Sequence, residues 1–445
     1  MTRELELYLH IPYCIRKCAY CDFVSAPPSA DGEMGAYVRK LREEIAAAGR
    51  QMRQALFPGG MRPLGDSYEV TSLFFGGGTP SILPAEAAGE ILSEARKNFS
   101  IRPDAEVTLE ANPDTVTPEK LRAWKNAGIN RLSMGVQSAD DRELRLLGRI
   151  HDFSRAVRAY RDAREAGFRN ISLDLISALP GQTPESFART LRAAAELAPE
   201  HISAYSLIIE ENTPFSRAYG ENSRDLAVYG EYRLMPEKLR EKYRKLREKA
   251  PLLPGEDEER EMYRKTAEIL AAYGYQRYEI SNYAKPGYAC RHNLGYWTGR
   301  EYLGFGTAAA SCLGGERMEN LTDTGKYLAL APEDFLFGRQ RGTRYPESQK
   351  DRMEEFMFLG VRLMAGVSEA DFLKRFGREM QEVYGAALRK TEREGLLRTV
   401  ITPDGDARHV LTSRGLDLSN QVEEEFILEE TGTVASAGGG RGMGE

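Results

Sequence analysis

The 445-residue sequence predicts an α/β fold: a partial (β/α)6 barrel, then a mostly helical C-terminal region that includes a winged-helix-like domain. Three observations predict it. Strand-like and helical segments alternate six times between residues 4 and 209, and such repetition builds a parallel sheet. Six units fall short of the eight that close a full barrel. Beyond residue 350, helices are followed by a short hairpin around Pro403-Asp404-Gly405-Asp406. An open doubly wound sheet stays possible, because periodicity alone does not decide closure.

The elements follow in order. ELELYLHI (4–11) alternates in polarity and reads as a strand, and 31–50 reads as a helix. Residues 52–67 are rich in Gly, Pro and Arg and read as a loop. EVTSLFF (69–75) is a strand that stops at three glycines, and 84–99 has helical periodicity. AEVTLEAN (105–112) is a strand. TPEKLRAWKNAG (117–128) is a helix with a Thr cap and a terminal Gly. NRLSMGVQ (130–137), NISLDLISALPG (170–181) and HISAYSLII (201–209) are further strands, separated by helices at 153–167 and 184–198. These observations divide the chain into a core at 1–215, a charged helical insertion at 216–262, and a core extension at 263–345. A C-terminal domain follows at 346–431, then a low-complexity, disordered tail at 432–445.

Composition narrows the function. Lys and Arg number 61 and Asp and Glu 67, a net charge of −6 that argues against nucleic acid held by a general basic field. No run approaches the roughly 18 apolar residues of a membrane span, and the start MTRELELYLHIPYC lacks a signal-peptide pattern. A cytoplasmic protein with reduced thiols is expected. Five cysteines, an odd number, do not make a complete disulfide framework.

Cys14, Cys18 and Cys21 fall in CIRKCAYC, at spacings of four and three. Three sulfurs on so short a loop can wrap one face of an iron–sulfur cube and leave one iron open. Zinc with a distant fourth ligand and inert buried thiols are the competing readings. Gly76, Gly77, Gly78 and Thr79 follow the second strand, where glycines let backbone groups approach a ligand closely. Glu110, Gln137 and Asp174 stand at or near strand ends, where function gathers in such folds, and Arg149 lies in a short loop after a helix.

C-x3-C-x2-C after a first strand resembles the signature of the radical S-adenosylmethionine (SAM) superfamily. LYLHIPYCIRKCAYCDF, FFGGGTPS, LEANPD, GVQS, DLISALPGQT and CRHNLGYW together resemble its branch of oxygen-independent coproporphyrinogen III oxidases and heme chaperones. The resemblance implies a radical SAM barrel with a [4Fe–4S] cluster on Cys14, Cys18 and Cys21. SAM would chelate the open iron, and a reduced cluster would cleave it to a 5′-deoxyadenosyl radical. It implies SAM contacts from Gly77, Gly78, Thr79, Glu110, Gln137, Arg149 and Asp174, with Tyr8 beside SAM and cluster. Tyr20 matches an aromatic whose backbone binds a second SAM in the oxidase. An electron donor for the cluster, heme and a heme-acceptor protein are the implied partners.

Within the branch, three features favour the chaperones, with coproporphyrinogen III decarboxylation as the alternative. Phe23 stands where the oxidase has a further cysteine. Few residues precede the first strand. His292, Asn293, Tyr296 and Trp297 reproduce an H-N-x-x-Y-W motif. A neutral imidazole at His292 is a possible heme ligand, which Tyr296 and Trp297 could flank; a turn-capping histidine and a packing tryptophan are the plainer alternative. Cys290 reads as a passive neighbour or a heme thiolate, and His10 as a structural hydrogen-bonder or a cluster-tuning group. Ala310 replaces a histidine common in this branch, with Cys312 nearby.

Overall fold

A computed structural model describes residues 3–54, 68–219, 237, 251–336 and 338–428. Among these, two compact units emerge: one of residues up to Glu347 with Arg362–Ala365, the other of Ser348–Val361 with the residues from Gly366 on.

The first unit is organised by a parallel sheet whose strands lie side by side in chain order: β1 (Arg3–Ile11), β2 (Tyr68–Gly77), β3 (Ile101–Ala111), β4 (Arg131–Gln137), β5 (Ile171–Ser177) and β6 (His201–Ser206). A doubly wound sheet reverses its order at a switch point. This one never does, so the open-sheet alternative falls and the partial barrel stands. Strand alternation explains how it folds. Leu5, Leu7, Leu9 and Ile11 of β1 are fully buried on the helix side, against Tyr37, Leu41 and Ile45 of α1 (Glu33–Gln54) among others. Glu6, Tyr8 and His10 alternate with them and face the lumen. Burying each such leucine is worth roughly 1.5–3 kcal/mol. A slip of one residue would send the whole row into the polar interior, so the register is firmly held.

Helix boundaries have local causes. Thr117 accepts a hydrogen bond from Lys120 N at 3.2 Å and opens α2 (Pro118–Ala127), which Gly128 closes at φ +99. Asp152 caps α3 (Phe153–Glu165), and Thr183 with Ser186 forms a capping box on α4 (Pro184–Glu196).

Two parts of the unit depart from the sequence reading. Helix Glu256–Ala272 runs straight across residue 262, where charge alone set the end of an insertion; Met262, Thr266 and Leu270 bury one stripe of it. Its first turn of four acids is solvated, which hid the stripe. Residues 220–236 and 238–250 of that charged stretch, and the tail at 432–445, lie outside the described residues. The second departure is at the other edge. β7 (Gln276–Arg277) and β8 (Asn282–Ala284) extend the sheet beyond β6, while β9 (Glu301–Phe305) returns to pair in parallel with β1. An antiparallel run of β10 (Ala310–Leu313), β11 (Glu316–Asn320) and β12 (Arg341–Pro346) completes twelve strands.

The second unit has helices Gln349–Val361, Glu369–Phe376 and Met380–Arg393, then a hairpin of β14 (Leu397–Ile401) and β15 (Ala407–Leu411) joined by β13 (Val367–Ser368). Helices followed by such a hairpin make a winged-helix arrangement. Phe356, Phe372, Phe376 and Tyr384 pack its centre edge to face or tilted. No helix among the described residues is long and apolar enough to cross a membrane.

Candidate functional site

The loop after β1 carries the three thiols across the carboxyl end of the barrel. Backbone bonds close it: Cys14 N to Ala26 O at 3.1 Å and Ala26 N to Pro12 O at 3.0 Å. His10 ties it to β1, one ring nitrogen 3.0 Å from Val24 O and the other 3.4 Å from the Tyr8 hydroxyl. Of the two roles offered for His10, the structural hydrogen bond is the one seen.

The glycine run is a seam between this loop and β2. Gly78 N donates to Ile11 O at 2.8 Å and Thr79 N to Tyr13 O at 2.7 Å. A Cβ at Gly78 would sit 2.6 Å from Tyr13 O; at Gly77, where φ is +104, it would sit 2.6 Å from the His10 ring. Only glycine fits either place. Thr79 Oγ1 then lies 3.3 Å from Cys14 Sγ.

Cys14 is buried, and Cys18 and Cys21 are half-buried. Arg149 reaches Cys18 Sγ with one guanidinium nitrogen at 3.6 Å and Gly135 O with another at 2.7 Å; its Nε is buried without a partner. Burial pushes the Cys21 thiol up, and Cys18 and Cys14 are near enough to add to that. Among the described residues no three metal-binding side chains converge on one ion. A cube gives each thiolate its own iron, so its ligands need not meet at a point.

Around the lumen stand the other residues singled out in the sequence. Glu110, near the end of β3, receives a hydrogen bond from Gly77 N; burial, and then Asp174, push its carboxyl up to about 8. No cation forms an ion pair with it among the described residues, so the carboxyl becomes a counter-charge for an entering ammonium group only on losing its proton. Asp174 is held by three hydroxyls, Ser133 at 2.9 Å, Ser172 at 3.0 Å and Ser203 at 2.7 Å. Gln137 sits at a bulge between β4 and β5 with φ +68, a backbone that costs a non-glycine residue energy. Tyr8 stacks on Phe74 at 6.3 Å, and burial raises its phenol. Tyr20 packs with the Leu147–Ile176–Leu179–Phe215 cluster, and burial raises its phenol too, against the pull of Arg149. The residues therefore fit both groups. The thiols offer soft donors to iron, while Glu110, Asp174 and the glycine backbone offer polar partners to an amino acid and a ribose.

His292 is not with them. It lies nearer the amino ends of the strands, on the short helix Arg291–Trp297, with its ring 5.0 Å from Phe74 and 6.5 Å from Tyr8, stacked on both. Its Nδ1 is 2.9 Å from Ser72 Oγ. Burial, with Arg131 and Arg300 nearby, lowers its pKa to about 3, so the ring is neutral. Glu106 caps this helix from β3, accepting from Arg291 N at 3.0 Å, His292 N at 3.3 Å and the Cys290 thiol at 3.3 Å. Cys290 is wholly buried. Trp297 is covered by the Arg362 guanidinium at 4.7 Å, and Tyr296 meets it edge to face. Cys312 lies on β10, its thiol 3.3 Å from Glu347, and Ala310 opens the same strand.

The sequence reading missed Glu106, Arg131 and the three serines. Period-two spacing held the signal: Glu106, Thr108 and Glu110 face one way on β3, as Ser172 and Asp174 do on β5.

Comparison with known proteins agrees. Residues 8–194 match the radical SAM superfamily and residues 348–399 the HemN C-terminal domain. The chain is 33% identical over 428 residues to heme chaperone HemW of Bacillus subtilis (strain 168), covering 95% of this chain and 99% of that one. It is 34% identical over 432 residues to heme chaperone HemW of Escherichia coli (strain K12), covering 96% and 98%. Coproporphyrinogen III oxidase (HemN) from Escherichia coli, a solved structure, shares the fold: TM-score 0.72 at 22% identity, covering 96% of this chain and 90% of that one. The chain belongs to the HemW family of the radical SAM superfamily.

Proposed function

We propose that this protein is a cytoplasmic heme chaperone that holds a [4Fe–4S] cluster on Cys14, Cys18 and Cys21. SAM binds against Gly77, Gly78, Thr79, Glu110, Gln137, Arg149 and Asp174, with Tyr8 beneath it and Tyr20 at the cluster loop. Cys14, Cys18 and Cys21 would hold the cluster, which when bound and reduced would supply the electron for cleavage of the SAM sulfonium bond. The chain's own residues orient and insulate: the glycine seam fixes the loop, Arg149 places a cation beside a cluster thiolate, and Asp174 is fixed by its three serines. The observation that carries this is the unpaired Glu110 carboxyl beside the glycine seam and the three thiols, together with full-length likeness to proteins named heme chaperones.

Heme is the cargo, passed to an acceptor protein. His292 is its nominated ligand; with Nδ1 held by Ser72, Nε2 is left to meet iron. We also propose the division into a core at 1–215, an extension at 263–345 and a C-terminal domain at 346–431.

The test is anaerobic reconstitution with iron and sulfide, heme titration of the intact chain and of His292→Ala, and incubation with coproporphyrinogen III, SAM and a reductant. The chaperone reading expects heme binding and no protoporphyrinogen. Sustained protoporphyrinogen formation would replace it with the oxidase. Unchanged heme affinity in the variant would remove His292 as the ligand.

A further inference from the structure

The three serines do not hold Asp174 evenly. Ser172 at 3.0 Å and Ser203 at 2.7 Å both donate to Oδ1; Ser133 reaches Oδ1 at 3.2 Å and Oδ2 at 2.9 Å. Oδ2 has that one donor alone. A carboxylate oxygen accepts about two hydrogen bonds, so Oδ1 is filled and Oδ2 keeps a place for a ligand hydroxyl. The group behind this asymmetry lies nearer the amino ends of the strands. The parallel register sets His201 of β6 opposite Ser172 of β5, and Ser203 opposite Asp174. His201 is wholly buried, with Nδ1 2.8 Å from Ser172 Oγ and Nε2 2.9 Å from the Tyr278 hydroxyl.

The direction of each bond follows from the end of the chain. An ionised carboxylate only accepts, so Ser172 spends its single proton on Asp174. Its Oγ must then accept from His201. Burial, and then Arg131, hold the His201 pKa well below its ordinary value, so the ring is neutral and carries one proton. That proton is on Nδ1, and Nε2 accepts from Tyr278, whose hydroxyl has no other partner among the described residues. Tyr278 is itself pinned: its N donates to Asn282 O at 3.1 Å, and its O accepts from Met364 N at 3.0 Å. Three donors thus point one way, Tyr278 to His201 to Ser172 to Asp174, and bonds so aligned polarise one another. A buried imidazole has a desolvation cost that an apolar side chain there would avoid, so its value lies in the bonds it makes.

We propose that His201 is a positioning residue of the SAM site: through Ser172 it fixes the rotation of the Asp174 carboxyl and keeps Oδ2 as the acceptor left for SAM. The proposal rests on the SAM contact assigned to Asp174 above.

The test is SAM binding by calorimetry on the full chain, anaerobically reconstituted, with the cluster kept oxidised so that SAM is not cleaved. His201→Leu and Ser172→Ala are each expected to weaken SAM about fivefold, and the two together no further, because they cut one chain. His201→Asn, whose amide nitrogen offers a donor in place of Nδ1, is expected to recover most of the loss. If His201→Leu does not fold, His201→Phe, which keeps a flat ring without donors, takes its place. Asp174→Ala is expected to weaken SAM about tenfold, and removing the His201 imidazole in that background should add nothing. A merely structural histidine would cost the same in both backgrounds, and that result overturns the relay. So does SAM affinity within about twofold of the parent in the His201 variant while Asp174→Ala is weakened. Unchanged affinity in Asp174→Ala removes Asp174 from the SAM site, and this proposal with it.

Discussion

Two layers of the same lumen hold the same kinds of residue and treat them oppositely. Near the amino ends, Glu106 receives two backbone N–H groups and a thiol, and Glu6 meets Arg300 at 3.1 Å. Near the carboxyl ends, Glu110 has one backbone donor, Arg149 keeps an unpartnered Nε, and three thiols stand unoxidised. The floor carboxylates are bound by several donors each, whereas Glu110 at the mouth has one. Buried polar groups left short of partners cost stability, so they persist where a ligand completes them.

Four measurements would break or sharpen that contrast. The largest effect belongs to the thiols: Cys14→Ser, Cys18→Ser or Cys21→Ser should each abolish the visible iron–sulfur absorbance after anaerobic reconstitution, while Cys290→Ser and Cys312→Ser keep it. An unaltered centre in any of the first three would end the cluster assignment. Next, Glu106→Ala should lower stability by about 2–4 kcal/mol, since it takes the acceptor from two backbone N–H groups and a buried thiol. Denaturant unfolding would show this, and a cost below about 1 kcal/mol would mean that the floor is not internally bound.

Glu110→Gln should do the reverse, leaving the unfolding midpoint nearly unchanged and weakening SAM about tenfold, the value of one charge-assisted hydrogen bond. The same carboxyl sets a pH dependence. Its folded pKa is raised to about 8, so it is protonated below that and must lose its proton to receive an ammonium group. SAM affinity, read by calorimetry, should therefore fall as pH drops from 9 toward 7, and Glu110→Gln should remove the slope. The smallest effect is in the floor. His292 is neutral in the fold with its pKa lowered to about 3, against 6.5 for the free group. The unfolded chain therefore binds more protons in that window, and stability falls as pH falls from 6.5 toward 3. His292→Gln should shallow the acid-unfolding curve; an unaltered curve would mean the ring is not held neutral.

The contrast also explains what was legible in the sequence. The cysteine loop, the glycine run and the strand ends are read by local rules, because their chemistry depends on neighbours a few residues apart. The floor is assembled from β1, β3, β4 and the helix at 291, nearly 300 residues apart, and no local pattern joins Glu6 to Arg300. The helix at 256–272 was obscured for another reason: four acids in its first turn outweighed a buried stripe of only three residues. β9 to β12 escaped because short strands with Gly turns carry little periodicity.

The pairing of β9 with β1 has a consequence for how the protein is made. The strand that launches the cysteine loop acquires its second neighbour only after residues Glu301–Phe305 have left the ribosome. Until then one side of β1 offers unpaired peptide groups, a template for promiscuous strand addition. A nascent chain halted before residue 301 is thus expected to cling to chaperones or to itself, and the final third of translation closes the seam beside the thiols.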